Sequence, residues 1–430
     1  MNKLLPRLGF GLLLMTTAQA ALADDLNSGN TAWILTSTAL VLFMTLPGLA
    51  LFYGGLVRTK NVLSVLMQCF AITCVVSVLW LVGVYSMAFA EGNDLVGGLS
   101  NAFMANLQQD SMVGDLPESV FAMFQLTFAI ITPALIVGAF AERMRFASML
   151  LFSALWLVVV YGPVTHWVWG GGWLQQMGLL DFAGGTVVHV TAGVAALVCA
   201  LYLGPRKGFP KTPMPPHNMT MVFTGAAMLW VGWFGFNGGS ALAANGDAGM
   251  AMLVTHMSAA AGALTWMACE WYKFGRPSAL GAVTGMVAGL GTITPASGFV
   301  GPAAGLAIGM MAGIVCFNMT MLLKQKLHID DSLDVFPVHG IGGALGTILA
   351  GIFASSSLGI FSGQGYNEGM NMASQLQVQV IGVLATGLYA GVCTLILLKL
   401  VDSLVGLRVS PDQETEGLDI NQHNERGYDL

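Results

Sequence analysis

From Phe182 to Gly204 the chain carries no Lys, Arg, Asp or Glu, yet His189 sits inside that run. A bilayer core needs about 20 consecutive apolar residues in helix, and lipid offers the backbone no hydrogen-bond partner, so a run of this kind crosses as a helix within a bundle. A second segment, beginning at Asp334 (DVFPVHGIGGALGTILAGIF), carries His339. Ionisable side chains within membrane spans are costly and mark ion or proton paths. The alternative for each ring is a bond to a neighbouring carbonyl or hydroxyl. We read the chain as a scaffold that holds the two imidazoles in a narrow path through a membrane.

The rest of the sequence repeats the pattern. Only 9% of the 430 residues are charged and 55% are hydrophobic, whereas a soluble domain carries about 25% charged residues. Hydropathy predicts an all-α polytopic membrane protein with about eleven spans, near 32–56, 62–90, 119–141, 146–168, 182–204, 219–242, 249–271, 277–297, 300–323, 335–356 and 376–401. Apart from Lys3 and Arg7, every Lys and Arg falls at or beyond the end of an odd-numbered span and before the next even one. All of them therefore lie on one face, which the positive-inside rule makes cytoplasmic. The opposite loops, 91–118 and 357–375, contain Glu91, Asp94, Asp110, Asp115, Glu118 and Glu368 but no Lys or Arg. A nucleic-acid partner is excluded by the lack of any basic patch beyond short loops. The six cysteines lie in apolar runs without metal or disulfide spacing and read as small core residues.

Residues 1–20 combine Lys3 and Arg7, a short apolar core and Ala18-Gln19-Ala20. They read as a signal peptide, with cleavage after Ala20 or Ala23 and the mature N-terminus outside. Residues 32–401 form the transmembrane domain, and 403–430 a polar cytoplasmic tail, mobile or docked on the loops. An internal repeat is suggested by Phe52-Tyr53-Gly54-Gly55 against Phe236-Asn237-Gly238-Gly239, and by Asp followed by His in the fifth and tenth spans. Two five-span units of odd length are inverted relative to each other, with one extra helix, and inverted repeats place their shared site near the midplane. His189 then lies close to the outer end of its span and His339 close to the inner end of its own. The rings meet only if both helices start in recessed segments, which Gly184-Gly185 and Pro337 would allow. Gly281, Gly285 and Gly289, and Gly305, Gly309 and Gly313, recur at every fourth position and read as close helix contacts.

Phe124 and Phe128 share a helical face, and Trp233, Phe236 and Ser240 lie within two turns. These residues belong to a set of segments: FYGGLVRTKNVLS (52–64), FQLTFAIITPALIVGAFAER (124–143), HWVWGGG (166–172), DFAGGTVVH (181–189), WFGFNGGS (233–240), ITPASG (293–298), DVFPVHGIGG (334–343) and GLRVSPDQETEGLD (406–419). Taken in this order, they resemble the ammonium transporter (Amt/Mep/Rh) family in its bacterial branch. The resemblance implies a homotrimer in an inner membrane with one pore per subunit, carrying ammonium or ammonia and accepting methylammonium. It implies no enzyme activity and no cofactor. By matched position, Trp169, Phe128 and Ser240 would form an outer recruitment site, Phe128 and Phe236 a gate, and His189 and His339 a twin-histidine pair, with Asp181 a charged support. It also implies a PII-type regulatory protein at the cytoplasmic face. Leu126-Thr127 and Thr220 depart from the family's usual residues without touching these positions.

The residue types suit that chemistry. Trp169 and Phe128 offer a cation π-faces worth about 0.5–2 kcal/mol each, and Ser240 can accept a hydrogen bond. Two neutral imidazoles cannot balance an ion but can pass protons, since histidine has two nitrogens and titrates near neutrality. Ammonium would then lose its proton around the phenylalanines and cross as ammonia. Asp181 either favours cation approach or caps the fifth span. The rival readings are an ammonium sensor on the same scaffold, a channel for a small neutral gas, and a membrane metalloenzyme. Two histidines without further ligands make a poor metal site, which weighs against the last.

Overall fold

A computed structural model describes residues 26–429, so the expected signal peptide lies outside the described residues. The described residues form eleven principal helices: α1 (Ser28–Leu56), α2 (Thr59–Phe89), α3 (Glu118–Phe140), α4 (Phe146–Gln176), α5 (Gly185–Leu203), α6 (Met219–Gly238), α7 (Gly246–Phe274), α8 (Ala279–Ile293), α9 (Pro302–Lys326), α10 (Phe336–Phe353) and α11 (Met372–Val405). Ten of them are long and apolar enough to cross a membrane. The exception is α8, expected over 277–297. Its 15 residues rise only about 22 Å, and the chain continues from Thr294 as buried turns. Non-helical backbone at membrane depth is tolerated where protein surrounds it.

Glycine contacts define how the repeats pack. Along α1 and α6, Gly55 abuts Val222, Phe52 abuts Gly225, Met44 abuts Gly232 and Leu40 abuts Gly235. One number falls as the other rises, so the two helices run antiparallel. On α5 and α10, Gly193 meets Gly340 while Gly343 meets His189 and Gly185, again in antiparallel order. Equivalent helices of the two five-helix units thus pair head to tail, as inversion requires. The glycine ridges of α8 and α9 both close on α7: Gly285 and Gly313 face Gly262 and Trp266, while Gly289 and Gly309 face Ser258. In lipid, where apolar association gains little, such backbone approach supplies dispersion contacts that side chains would block.

The face that carries the basic residues is locked by buried ions. Glu142 accepts from Arg58 Nε at 3.0 Å and from Arg206 at 2.9 Å, and Arg206 also pairs with Asp330 at 2.8 Å. Burial is the largest influence and would raise both carboxyls, but Arg206 and Arg58 together at Glu142, and Arg206 with Arg143 at Asp330, outweigh it, and both are held below the usual range. The tail is docked on this face. Arg408 donates to Leu203 O and Pro205 O and pairs with Glu414, which accepts the Lys207 N–H at 2.6 Å. Asp419 accepts the Leu63 and Ser64 N–H groups at the start of α2, Lys60 Nζ donates to Thr415 O, and Tyr428 reaches His217 at 3.0 Å. On the opposite face, the 90–117 loop is pinned by two short ladders, Gly92–Asn93 with Val96–Gly97 and Met112–Val113 with Leu116–Pro117.

Candidate functional site

The site begins where α5 and α10 start. Residues 179–184 enter as non-helical chain and turn at Gly184, whose φ of +114° favours glycine and where a β-carbon would strike Val188. Asp181 then caps α5. Its carboxylate accepts the N–H groups of Gly184 (2.8 Å), Gly185 (2.6 Å), Thr186 (2.7 Å) and Val187 (3.3 Å), together with the Thr186 hydroxyl. An anion here meets both the orphan donors and the positive end of the helix. The side chain of Asp181 is therefore spent on capping, and its support of the aromatic site runs through its backbone: Trp169 Nε1 donates to Asp181 O at 2.9 Å.

The start of α10 mirrors this arrangement, with one departure from the sequence reading. The carboxylate that accepts the first helical N–H, that of Phe336 at 2.7 Å, belongs to Asp331. Asp334, the residue paired with His339 by motif, instead meets Lys324 at 2.7 Å. The signal was present in the spacing, since eight positions separate Asp331 from His339 just as eight separate Asp181 from His189. Both helices open in wide π-type turns, Gly185–Val190 and Phe336–Ile341, and both starts are recessed inside the protein.

Recession resolves the difference in depth and brings the rings together. His189 Nδ1 lies 3.1 Å from His339 Nδ1, with the ring planes 13° apart. Both are buried, 1% and 4% exposed. Two δ-nitrogens at this distance share one hydrogen, so one donates and the other accepts. Each ring's Nε2 must then take the complementary role, one an acceptor and one an N–H donor. His189 Nε2 has no partner among the described residues. Trp233 stacks on His189 at 5.7 Å and 14°, and its indole N–H is held by Thr294 at 2.9 Å. The sequence reading placed Trp233 beside Phe236 without this role. Its position three residues before Phe236 puts it on the same helical face.

Three cavities follow one another along this path. The first, about 170 Å³, is lined by Phe121, Gln125, Phe128, Trp169, Phe182 and Ser240, among others. Phe128 meets Trp169 edge-on at 5.8 Å and 85°, and Ser240 Oγ donates to Phe236 O at 2.8 Å, which leaves its oxygen lone pairs free to accept. Phe128 and Phe236, their centroids 4.3 Å apart, are both buried and close its floor. Beyond them lies a chamber of about 10 Å³ between Phe236, Trp233, His189, His339 and apolar side chains that include Ile131 and Leu135. That is room for about one water-sized molecule. Phe52, Val287 and His339 are shared with a third cavity, about 90 Å³, which includes Lys324, Ser332 and Asp334. The expected recruitment, gate and histidine residues thus lie in series.

The arrangement has relatives. Residues 32–428 match the model of the Ammonium Transporter Family. The chain is 47% identical to an ammonium transporter of Bacillus subtilis over 93% of its own length and 98% of that protein's. Among solved structures, Saccharomyces cerevisiae Mep2 superposes with a TM-score of 0.83 at 37% identity, covering 91% of this chain and 90% of that one. A protein described as a sensor Amt protein gives 0.85 at 29% identity, covering 92% and 98%.

Proposed function

The chain belongs to the ammonium transporter family, and from that premise we propose that it recruits ammonium at Trp169, Phe128 and Ser240 and conducts it inward as ammonia. The observation that carries this reading is the closed pair Phe128–Phe236 standing between an outer vestibule of about 170 Å³ and a one-molecule chamber walled by His189 and His339. In the vestibule a small cation meets two aromatic π-faces and the Ser240 oxygen. In the chamber past the phenylalanines no carboxylate among the described residues faces it, and its hydration shell does not fit. An uncompensated ion at mid-bilayer costs from about 2.5–3.5 to 10–17 kcal/mol, depending on how far water follows it. Neutral ammonia avoids that cost. It both donates and accepts hydrogen bonds, which suits an Nε2 acceptor and an Nε2–H donor along one wall.

The proton left behind either returns to the outer solution or is relayed over the two rings, whose shared hydrogen makes them a two-site conductor. Charge movement on proteoliposomes after an ammonium pulse separates these routes. A current lost on removing both imidazoles supports the relay, while flux without current supports ammonia alone. Absence of any flux from the purified protein would overturn transport in favour of sensing. Transport is preferred because the more similar relatives, above 40% identity, are named transporters, whereas the neighbour described as a sensor is 29% identical.

The same reading sets the protein in an inner membrane as a homotrimer, its N-terminus outside after cleavage following Ala20 or Ala23 and its tail, 403–430, in the cytoplasm. Methylammonium is the expected surrogate substrate. A PII-type protein is the partner expected at the basic face, where the third cavity opens.

A further inference from the structure

The caps of the two histidine-bearing helices are alike in position and unlike in completeness. Asp181 has both carboxylate oxygens engaged by backbone and hydroxyl donors. Asp331 uses only Oδ2, on the Phe336 N–H. Its Oδ1 is buried with no hydrogen-bond partner among the described residues, on a side chain 1% exposed. The residues that follow it, Ser332, Leu333 and Asp334, line the inner cavity together with Lys324 and His339. The half-open cap therefore stands one residue away from the wall of the inner cavity.

We propose that Asp331 is a positioning residue for His339 and the group through which the inner solution sets the rate of conduction. This inference rests on the conduction reading above. The groups that face Asp331 are Asp334 beside it, Lys324 at the end of α9, Arg143 from the loop after α3, Tyr53 of α1 and Cys199 of α5. Arg143 makes no hydrogen bond to Asp331, its guanidinium donating to Ser332 Oγ and Asp330 O, each at 2.7 Å, and it acts on that carboxyl only as a nearby charge. Burial, and then the neighbouring Asp334, push the Asp331 carboxyl up to about 6, against the pull of the Phe336 N–H and Lys324. Above that pH the cap is an anion at a helix N-terminus, the stabilised arrangement. Below it the cap is neutral and the start of α10, with His339 one turn inside, is held less firmly. Conduction therefore falls as the inner pH drops through about 6, which would limit ammonium entry into an already acid interior.

The test is ammonium flux into proteoliposomes at fixed outer pH while the pH on the Lys/Arg-rich side is stepped from about 7.5 to about 5.5. Wild-type flux should fall by about two- to thirtyfold, the range carried by loss of one helix cap. Asp331→Asn, permanently uncharged, should give a low and flat profile. Asp334→Asn removes a charge that raises the Asp331 carboxyl and should move the midpoint to lower pH, while Lys324→Met should move it to higher pH. Retention of the wild-type step by Asp331→Asn overturns the proposal, as do unmoved midpoints in the two charge variants. Those two variants decide the matter alone if Asp331→Asn fails to fold. Unaffected flux in His189→Ala would sink the conduction reading itself. Abolished flux there, alongside a retained pH step in Asp331→Asn, sinks only the role of Asp331.

Discussion

Gly340 Cα lies 2.2 Å from the place where a β-carbon on Gly193 would stand. The backbones of α5 and α10 therefore touch, four residues from His189 and one from His339. Gly193→Ala must part the helices, at about 1–3 kcal/mol for forced overpacking, and lengthen the 3.1 Å contact between the rings. We expect a folded protein with a lowered Tm and severely reduced flux. Gly83→Ala is the control, since its nearest neighbour would be Leu99 Cδ2 at an ordinary 3.7 Å.

Removal of one imidazole breaks the shared hydrogen and leaves the other ring with an unsatisfied δ-nitrogen in an apolar chamber. His189→Ala should abolish or strongly alter conduction without unfolding the chain, whose helices pack mainly through other contacts. Uptake of labelled methylammonium at the wild-type rate would contradict the proposed track.

Trp169 contacts the vestibule and not the chamber, so its contribution should be to capture. Trp169→Leu is expected to raise the half-saturating ammonium concentration by about 2- to 30-fold, the equivalent of one lost cation-π contact. The maximal rate should change less. A kinetic series in which the maximal rate collapses first would place Trp169 in the conducting step.

Arg206 holds two buried carboxylates, Glu142 and Asp330. Arg206→Met leaves Asp330 without its ion-pair partner and Glu142 with Arg58 alone, and should destabilise the protein by about 3–5 kcal/mol. The sign with pH follows from their lowered titration. In the wild type, the stability these groups contribute is present above the unfolded carboxylate range near 4 and lost as pH falls through the depressed native values. In the variant, the two carboxyls have lost one positive charge and favour protonation at higher pH than in the wild type. Its deficit in Tm against the wild type should therefore shrink between about pH 8 and pH 5. A deficit that grows on acidification would refute the assignment.

Much of this protein was legible along the chain. Charge-free runs and one-sided Lys and Arg residues predicted a polytopic helical membrane protein, because the cost of charge in lipid acts on each segment by itself. The glycine ridges and the series Trp169, Phe128, Phe236, His189, His339 were also readable, the last through resemblance. The eighth span was expected over 277–297 but its helix ends at Ile293, because hydropathy does not show where an apolar chain leaves the helix for buried turns. The tail could be read only as mobile or docked, since its fixed position depends on Glu414 and Asp419 finding backbone donors more than 200 positions away.

Segment hydropathy and the eight-residue interval from Asp to His are local properties, and the linear chain determined them without help from the fold. Which aspartate caps α10, whether the two imidazoles meet, and which oxygen remains unsatisfied were decided only in three dimensions. Each depends on how deeply two helices start and how closely two glycines let their backbones approach, and such distances arise from packing between segments about 150 positions apart.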